Sequence, residues 1–284
     1  MKKKLTVLLA VLVAVAGLFI LSLPTILHKA GLHPEYHGPS VALPGKRALI
    51  ITTSHGVLAA PGETEGPATG VMASEFTHPY YTFLDGGMDV DIASIKGGEI
   101  PIDPQTLLFM IKSPEDDRYL NDAVAQAKVK NSIPIDQVDI DEYDIVFISG
   151  GWGAAYDLAQ SPALAAMVSE AYYGDKAAVI GGVCHGVLGL VNARTRDGEL
   201  LIAGRRMTGV TDKQIKELGI EITPLHPETE LRKAGVVYES QTAIVDFFAT
   251  HVAVDDELRF VTGQNQNSGL EAANRMMLLI AERS

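Results

Sequence analysis

Cys184 is the only cysteine among 284 residues, and it lies in the run Gly181-Gly182-Val183-Cys184-His185-Gly186. Gly182-x-Cys184-x-Gly186 is the cysteine counterpart of the G-x-S-x-G nucleophile elbow. A nucleophile on a sharp strand-to-helix turn presses the residues two places either side into close contact, and glycines there remove the collision. The apolar residues 177–183 before the cysteine read as a buried strand, and the following HGVLGLVNA can continue as a helix. The positive end of that helix would favour the thiolate. The chemistry expected of such a site is attack by sulfur on an electrophilic carbon. A small buried thiol is the competing reading, disfavoured by the order strand, cysteine, helix. His185 adjoins the thiol in sequence, but neighbours on a turn point apart, so it is expected as an accessory rather than an assured base.

The other histidines carry less. His226 in Leu225-His226-Pro227-Glu228 reads as structural, and His251 could approach the elbow from a late strand. His55, His78 and His251 have no spacing that demands Zn²⁺, and a lone cysteine excludes a disulfide or a cysteine-cluster site. No metal and no cofactor are expected.

Residues 47–53, 88–95, 143–151 and 177–183 are short apolar runs that alternate with helical patterns, which predicts a mostly parallel sheet sandwiched by helices. Ser161 followed by Pro162 marks one helix start. Ser268 with Glu271 marks another as a capping box. The predicted organisation is an N-terminal transmembrane signal-anchor at 1–27, a Pro- and Gly-containing linker at 28–46, and one α/β domain at 47–284.

The anchor rests on the uncharged run 5–23 behind Lys2, Lys3 and Lys4, about the ~20 residues a membrane-spanning helix needs. The lysine bias places the N-terminus in the cytoplasm and the domain outside it, as a single-pass membrane protein. Secretion after signal cleavage near Ala14-Val15-Ala16 is the alternative. With 23 Lys and Arg against 35 Asp and Glu, the net charge of −12 argues against a nucleic-acid partner.

Beyond the elbow, several segments together resemble the ThiJ/PfpI superfamily of the class I glutamine-amidotransferase-like fold, from about residue 47 to 281. They are residues 69–94 around Glu75, the loop KGGEIPIDP (96–104), YDIVFISGGWGAAYDL (143–158), VCHG, and FVTGQNQNSGLEAA (260–273). The resemblance implies a doubly wound, flavodoxin-like fold with Cys184 as nucleophile, His185 beside it and Glu75 as the carboxyl group touching the sulfur. A protonated Glu75 would then donate to a thiolate. It further implies Gly151 and the His185 N–H as oxyanion donors, pairing as a homodimer, and a cysteine-dependent reaction on small carbonyl compounds or their adducts, of glyoxalase or deglycase type. A non-enzymatic stress protein and a cysteine peptidase or amidase are the alternatives. Two positions depart from the pattern. Trp152 stands where the family often has histidine, and Gln214 and Ile215 stand where paired glutamates are common. Asp212 is left as a third polar partner, or as a helix cap.

Overall fold

The computed structural model describes residues 2–283. Seven strands form the main sheet in the order β3-β2-β1-β4-β5-β9-β8. They are β1 (Arg47–Thr52), β2 (Asp89–Ser94), β3 (Ile133–Pro134), β4 (Ile145–Ile148), β5 (Val179–Val183), β8 (Val252–Val254) and β9 (Phe260–Gly263). All neighbours run parallel except β8, which pairs antiparallel with β9. Two short strands, β6 (Arg206–Met207) and β7 (Val237–Tyr238), pair separately.

The central strands are apolar through their interiors, residues 48–51 of β1 and Ile145–Ile148 of β4, because both sheet faces are covered. Ala48 and Ile50 of β1, with Ile145 and Phe147 of β4, face one core layer. Leu49, Ile51, Val146 and Ile148 face the other. The first layer is closed by α2 (Ala73–Asp85), α3 (Pro114–Leu120), α4 (Ala123–Lys130) and α9 (Gly269–Arg283). The second is closed by α5 (Ala154–Asp157), α6 (Pro162–Tyr173) and α8 (Pro227–Lys233). A further short helix, α7 (Asp212–Glu217), sits at the carboxyl end of the sheet, and its Ile215 reaches the first layer. The Ser161 hydroxyl caps α6 by accepting from the Leu164 N–H, with Pro162 in the first turn. Ser268 immediately precedes α9, and its hydroxyl accepts from the His251 N–H.

Two expectations are corrected here. The segment after Cys184 is a 3-10 helix, Cys184–Leu190, and not an α-helix. Residues 28–46 are not a free tether. The N-terminal helix α1 (Lys2–Lys29) runs through His28, and beyond it Leu32 is wholly buried, the His33 N–H donates to Asn267 Oδ1, and the Leu43 N–H donates to the Gly86 carbonyl. The apolar side chains of Leu32 and Leu43 have no other shelter from water, so the segment straps itself onto the domain.

Candidate active site

Three connections at the carboxyl ends of adjacent parallel strands converge, where open α/β sheets bind ligands. β1 leads to α2 and Glu75, β4 leads to Gly150 and Gly151, and β5 leads directly into Cys184. Cys184 has φ of 56°, the left-handed region, a conformation costing ~1–3 kcal/mol for a non-glycine residue. The flanking glycines make that turn fit. A Cβ at Gly182 or Gly186 would fall 2.3 or 2.2 Å from the Ile148 carbonyl oxygen of β4. Gly186→Ala is therefore expected to shift the elbow off β4 and lower stability by about 2 kcal/mol or more, read by chemical denaturation, with loss of activity. Unchanged stability would show that the turn has room.

Glu75 lies in the first turn of α2 with no solvent exposure. Burial pushes its carboxyl up to about 8, and the Cys184 thiol and the N–H groups of Gly150 and Gly151 pull back more weakly. Neither carboxyl oxygen has a hydrogen-bond partner of ordinary geometry, so these groups act as near neighbours rather than full bonds. The Ser149 hydroxyl donates to the Glu75 carbonyl at 3.0 Å and holds the start of α2 against β4. Burial and the Glu75 charge push the Cys184 thiol well above its usual range, while the N–H groups of His185 and Gly151, aimed at the sulfur, draw it down. The 3-10 turn supplies little dipole to favour a thiolate, and burial next to a carboxyl group favours the protonated thiol.

His185 Nδ1 is 3.5 Å from the Cys184 sulfur. Its ring is buried and held neutral, with its pKa lowered to about 3 by burial and by His226. Nε2 is enclosed without a hydrogen-bond partner, so no carboxylate orients this imidazole. Trp152 packs edge-on to it, ring centroids 5.1 Å apart.

Asp212 is not brought to His185. It occupies the first position of α7, whose cap is the Thr211 hydroxyl, and its Oδ2 accepts from Thr229 at 2.8 Å. Gln214 does reach the site, fixed by a bond from Asn265 Nδ2 at 3.0 Å, while Ile215 turns into the core. His226 precedes α8 close enough to act on His185 electrostatically, and His251 pairs with Glu239 at 3.2 Å, away from the sulfur.

These groups sit at the floor of a cavity of about 470 Å³. Its floor holds Glu75, Gly151, Cys184 and His185, and Trp152 forms part of the wall. Leu108, Met110, Ile111, Val245 and Phe247 complete the wall from two loops, and none of them was marked by the sequence. They lie in irregular segments without periodicity, where an apolar residue gives no signal of what it faces.

The fold and site can be set beside known proteins. Glyoxalase 3 of Candida albicans is 27% identical over 221 residues, spanning 74% of this chain and 89% of that protein. The glutathione-independent glyoxalase HSP31 of Saccharomyces cerevisiae is 30% identical over 186 residues, 62% of this chain and 73% of its own. Among solved structures, the Rapid Encystment Protein of Francisella tularensis superposes with a TM-score of 0.75 at 32% identity, over 83% of this chain and 99% of that one. Glyoxalase III of Candida albicans superposes with a TM-score of 0.73 at 26% identity, over 82% and 97%. The family model described as DJ-1/PfpI matches residues 67–276, which include Glu75, Gly151, Trp152, Cys184 and His185, and the chain belongs to the DJ-1/PfpI family.

Proposed function

We propose that this protein is a glutathione-independent glyoxalase that uses Cys184 to convert 2-oxoaldehydes into 2-hydroxy acids. The observation that carries this reading is the enclosed pair of Cys184 and Glu75 beneath two N–H groups, those of Gly151 and His185. The glyoxalases among its relatives support it. Sulfur attacks the aldehyde carbon, and the thiol proton ends on the new hydroxyl, giving a hemithioacetal. The Gly151 and His185 N–H groups stabilise the oxygen as charge develops on it. Glu75, as carboxylate, takes the hydrogen from that carbon while the ketone oxygen gains a proton, giving an enediol. Protonated Glu75 then returns the hydrogen to the neighbouring carbon while the hydroxyl on the sulfur-bearing carbon gives up its proton to water, replacing the one the ketone oxygen took from water, and a thioester of the 2-hydroxy acid is left. Water hydrolyses the thioester and restores the thiol. One carbon is oxidised and its neighbour reduced within the same molecule, so no redox cofactor enters. The purified full chain is expected to form lactate from methylglyoxal without glutathione. No lactate above the uncatalysed rate would end this reading.

An amidase would need His185 as a base oriented by an acceptor. Its Nε2 has none among the described residues, which favours the glyoxalase.

The same proposal extends to location. Residues 6–29 form an apolar helix with a mean hydropathy of 2.8 whose most apolar stretch is not buried in the domain. With three lysines before it, the helix is read as an uncleaved anchor that holds the domain outside the cytoplasm. A C-terminal alkaline phosphatase fusion is expected to be active and to stay with membranes after an alkaline carbonate wash. An inactive fusion would put the domain in the cytoplasm, and release into the soluble fraction would identify a cleaved signal.

A further inference from the structure

The cavity is far larger than methylglyoxal requires. Sites of ~300–1,000 Å³ hold drug-sized ligands, and a three-carbon substrate leaves most of 470 Å³ empty. What fills the rest must match its walls. Leu108, Ile111, Trp152, Val210, Leu218 and Phe247 present apolar surface, and no lysine or arginine lines the cavity. Except for Gln105, whose exposed amide points to no partner within the protein, the polar side chains of Asp103, Thr106, Gln214 and Gln266 are each engaged in at least one internal bond. Asp103 accepts from Thr69 and from the Gln105 N–H, Gln214 accepts from Asn265, and Gln266 donates to the Phe247 carbonyl. A sugar-derived, phosphorylated or carboxylated substrate would find no cation among the described lining residues and few open hydrogen-bonding groups, so most of its own polar groups would be buried unpaired. An alkyl chain would find a matching wall.

The mouth of the cavity continues the pattern. Leu108, Leu218 and Val245 line the cavity and are also exposed, and Phe109, Ile222 and Ile244 lie just outside them, Ile244 being 98% exposed. Contiguous exposed apolar surface marks an interaction face. The strap that follows the anchor helix joins the domain at this same edge. Gly31 lies against Phe248, and the His33 Nε2–H donates to the Ile111 carbonyl at 2.7 Å. Phe247 and Ile111 line the cavity, so the apolar helix ends within a few residues of its rim.

Building on the glyoxalase reading, we propose that the substrates of this site are 2-oxoaldehydes with long alkyl tails, drawn from the lipid bilayer through an apolar rim that rests on the membrane surface. The bilayer holds the rim because its anchor leaves the domain beside it, and the same bilayer concentrates an amphipathic aldehyde. The reacting atoms are those of the smaller substrate. Water is added, the aldehyde carbon is oxidised and the ketone carbon reduced, with the tail extending away from Cys184 along the apolar wall. The enzyme that consumes the product would act on long-chain 2-hydroxy acids, and the reactions that supply the substrate are those that oxidise alkyl chains to vicinal dicarbonyls.

The full chain in phosphatidylcholine vesicles, given 2-oxoaldehydes of three to twelve carbons, tests this. The ratio kcat/KM is expected to rise by about threefold per methylene until the cavity is filled, as burial of a methylene allows. The triple substitution Phe109→Glu, Ile222→Glu and Ile244→Glu leaves methylglyoxal turnover unchanged and lowers turnover of vesicle-borne 2-oxododecanal at least tenfold. Detergent, which delivers the substrate without a bilayer, restores it. A flat or falling chain-length series, with methylglyoxal still consumed, overturns the substrate class and leaves the glyoxalase reading standing. Undiminished vesicle turnover by the rim variant overturns delivery from lipid. Failure of the wild-type chain on every aldehyde overturns the glyoxalase reading and this inference with it.

Discussion

Cys184→Ser is expected to lower kcat/KM for methylglyoxal by at least ~10⁴-fold while leaving the fold intact, the scale seen when a covalent nucleophile is removed from a preorganised site. Serine differs from cysteine mainly in one smaller atom, and the backbone at residue 184 keeps its left-handed conformation, so the elbow survives. What is lost is the acidity and nucleophilicity of sulfur. Glu75, with a carboxyl pKa of about 8, can share a proton with a thiol raised above its usual range. It cannot deprotonate an alcohol to any useful extent, and His185, held neutral by burial with a pKa of about 3, has no acceptor behind it to stabilise a positive charge. The wild-type pH profile checks the same point. Below about 8 the pair holds two protons, so kcat/KM should rise through that pH as the first is lost, an apparent pKa that belongs to the pair. Lactate assays on circular-dichroism-matched proteins decide it. A serine variant within tenfold of wild type would remove sulfur from the mechanism.

How far such a site can be read from sequence depends on whether its constraint is local. The elbow is local. Gly182 and Gly186 are required by one turn and one neighbouring carbonyl, and residues 48–51, 145–148 and 177–183 carry no polar side chain because the strands they belong to are covered on both faces. Glu75 is not local. It lies 109 positions before the cysteine, on a different strand's connection, and only the resemblance of its surrounding segment singles it out among 35 acidic residues. The opposing influences on the thiol were hidden for a related reason. A helix after Cys184 suggested a thiolate, yet the turn is 3-10 and the enclosure that raises the pKa comes from segments distant in sequence. Residues 28–46 read as a linker because three prolines and three glycines punctuate them, while Leu32 and Leu43, which strap the segment down, are two residues among nineteen. The loops bearing Leu108 and Phe247 were silent for want of any periodicity. Asp212 shows the reverse error, a polar residue near a motif whose bonds go to Thr229 and not to the site.

Glu75→Gln should separate catalysis from stability. Activity is expected to fall by ~10²–10⁴-fold, since the amide can neither take nor return the hydrogen that moves between the two carbons. Stability should move the other way at neutral and alkaline pH. The carboxyl has an ordinary value of 4.5 when unfolded and about 8 when folded. A folded value above the unfolded one means that the folded state binds more protons between the two, so its contribution is fully present below 4.5, erodes as pH rises, and is gone above about 8. The wild-type fold loses stability progressively across that window. The wild-type denaturation midpoint is therefore expected to drop between pH 5.5 and 8, and the glutamine variant to hold level over the same range and exceed wild type at pH 8. On the proposed mechanism, a destabilising carboxyl group kept wholly buried beside Cys184 serves as a base of high pKa, near the pH at which it must both accept and release a proton. Parallel pH profiles in the two proteins would place the titrating group elsewhere, and undiminished turnover in the variant would assign the hydrogen transfer to another residue.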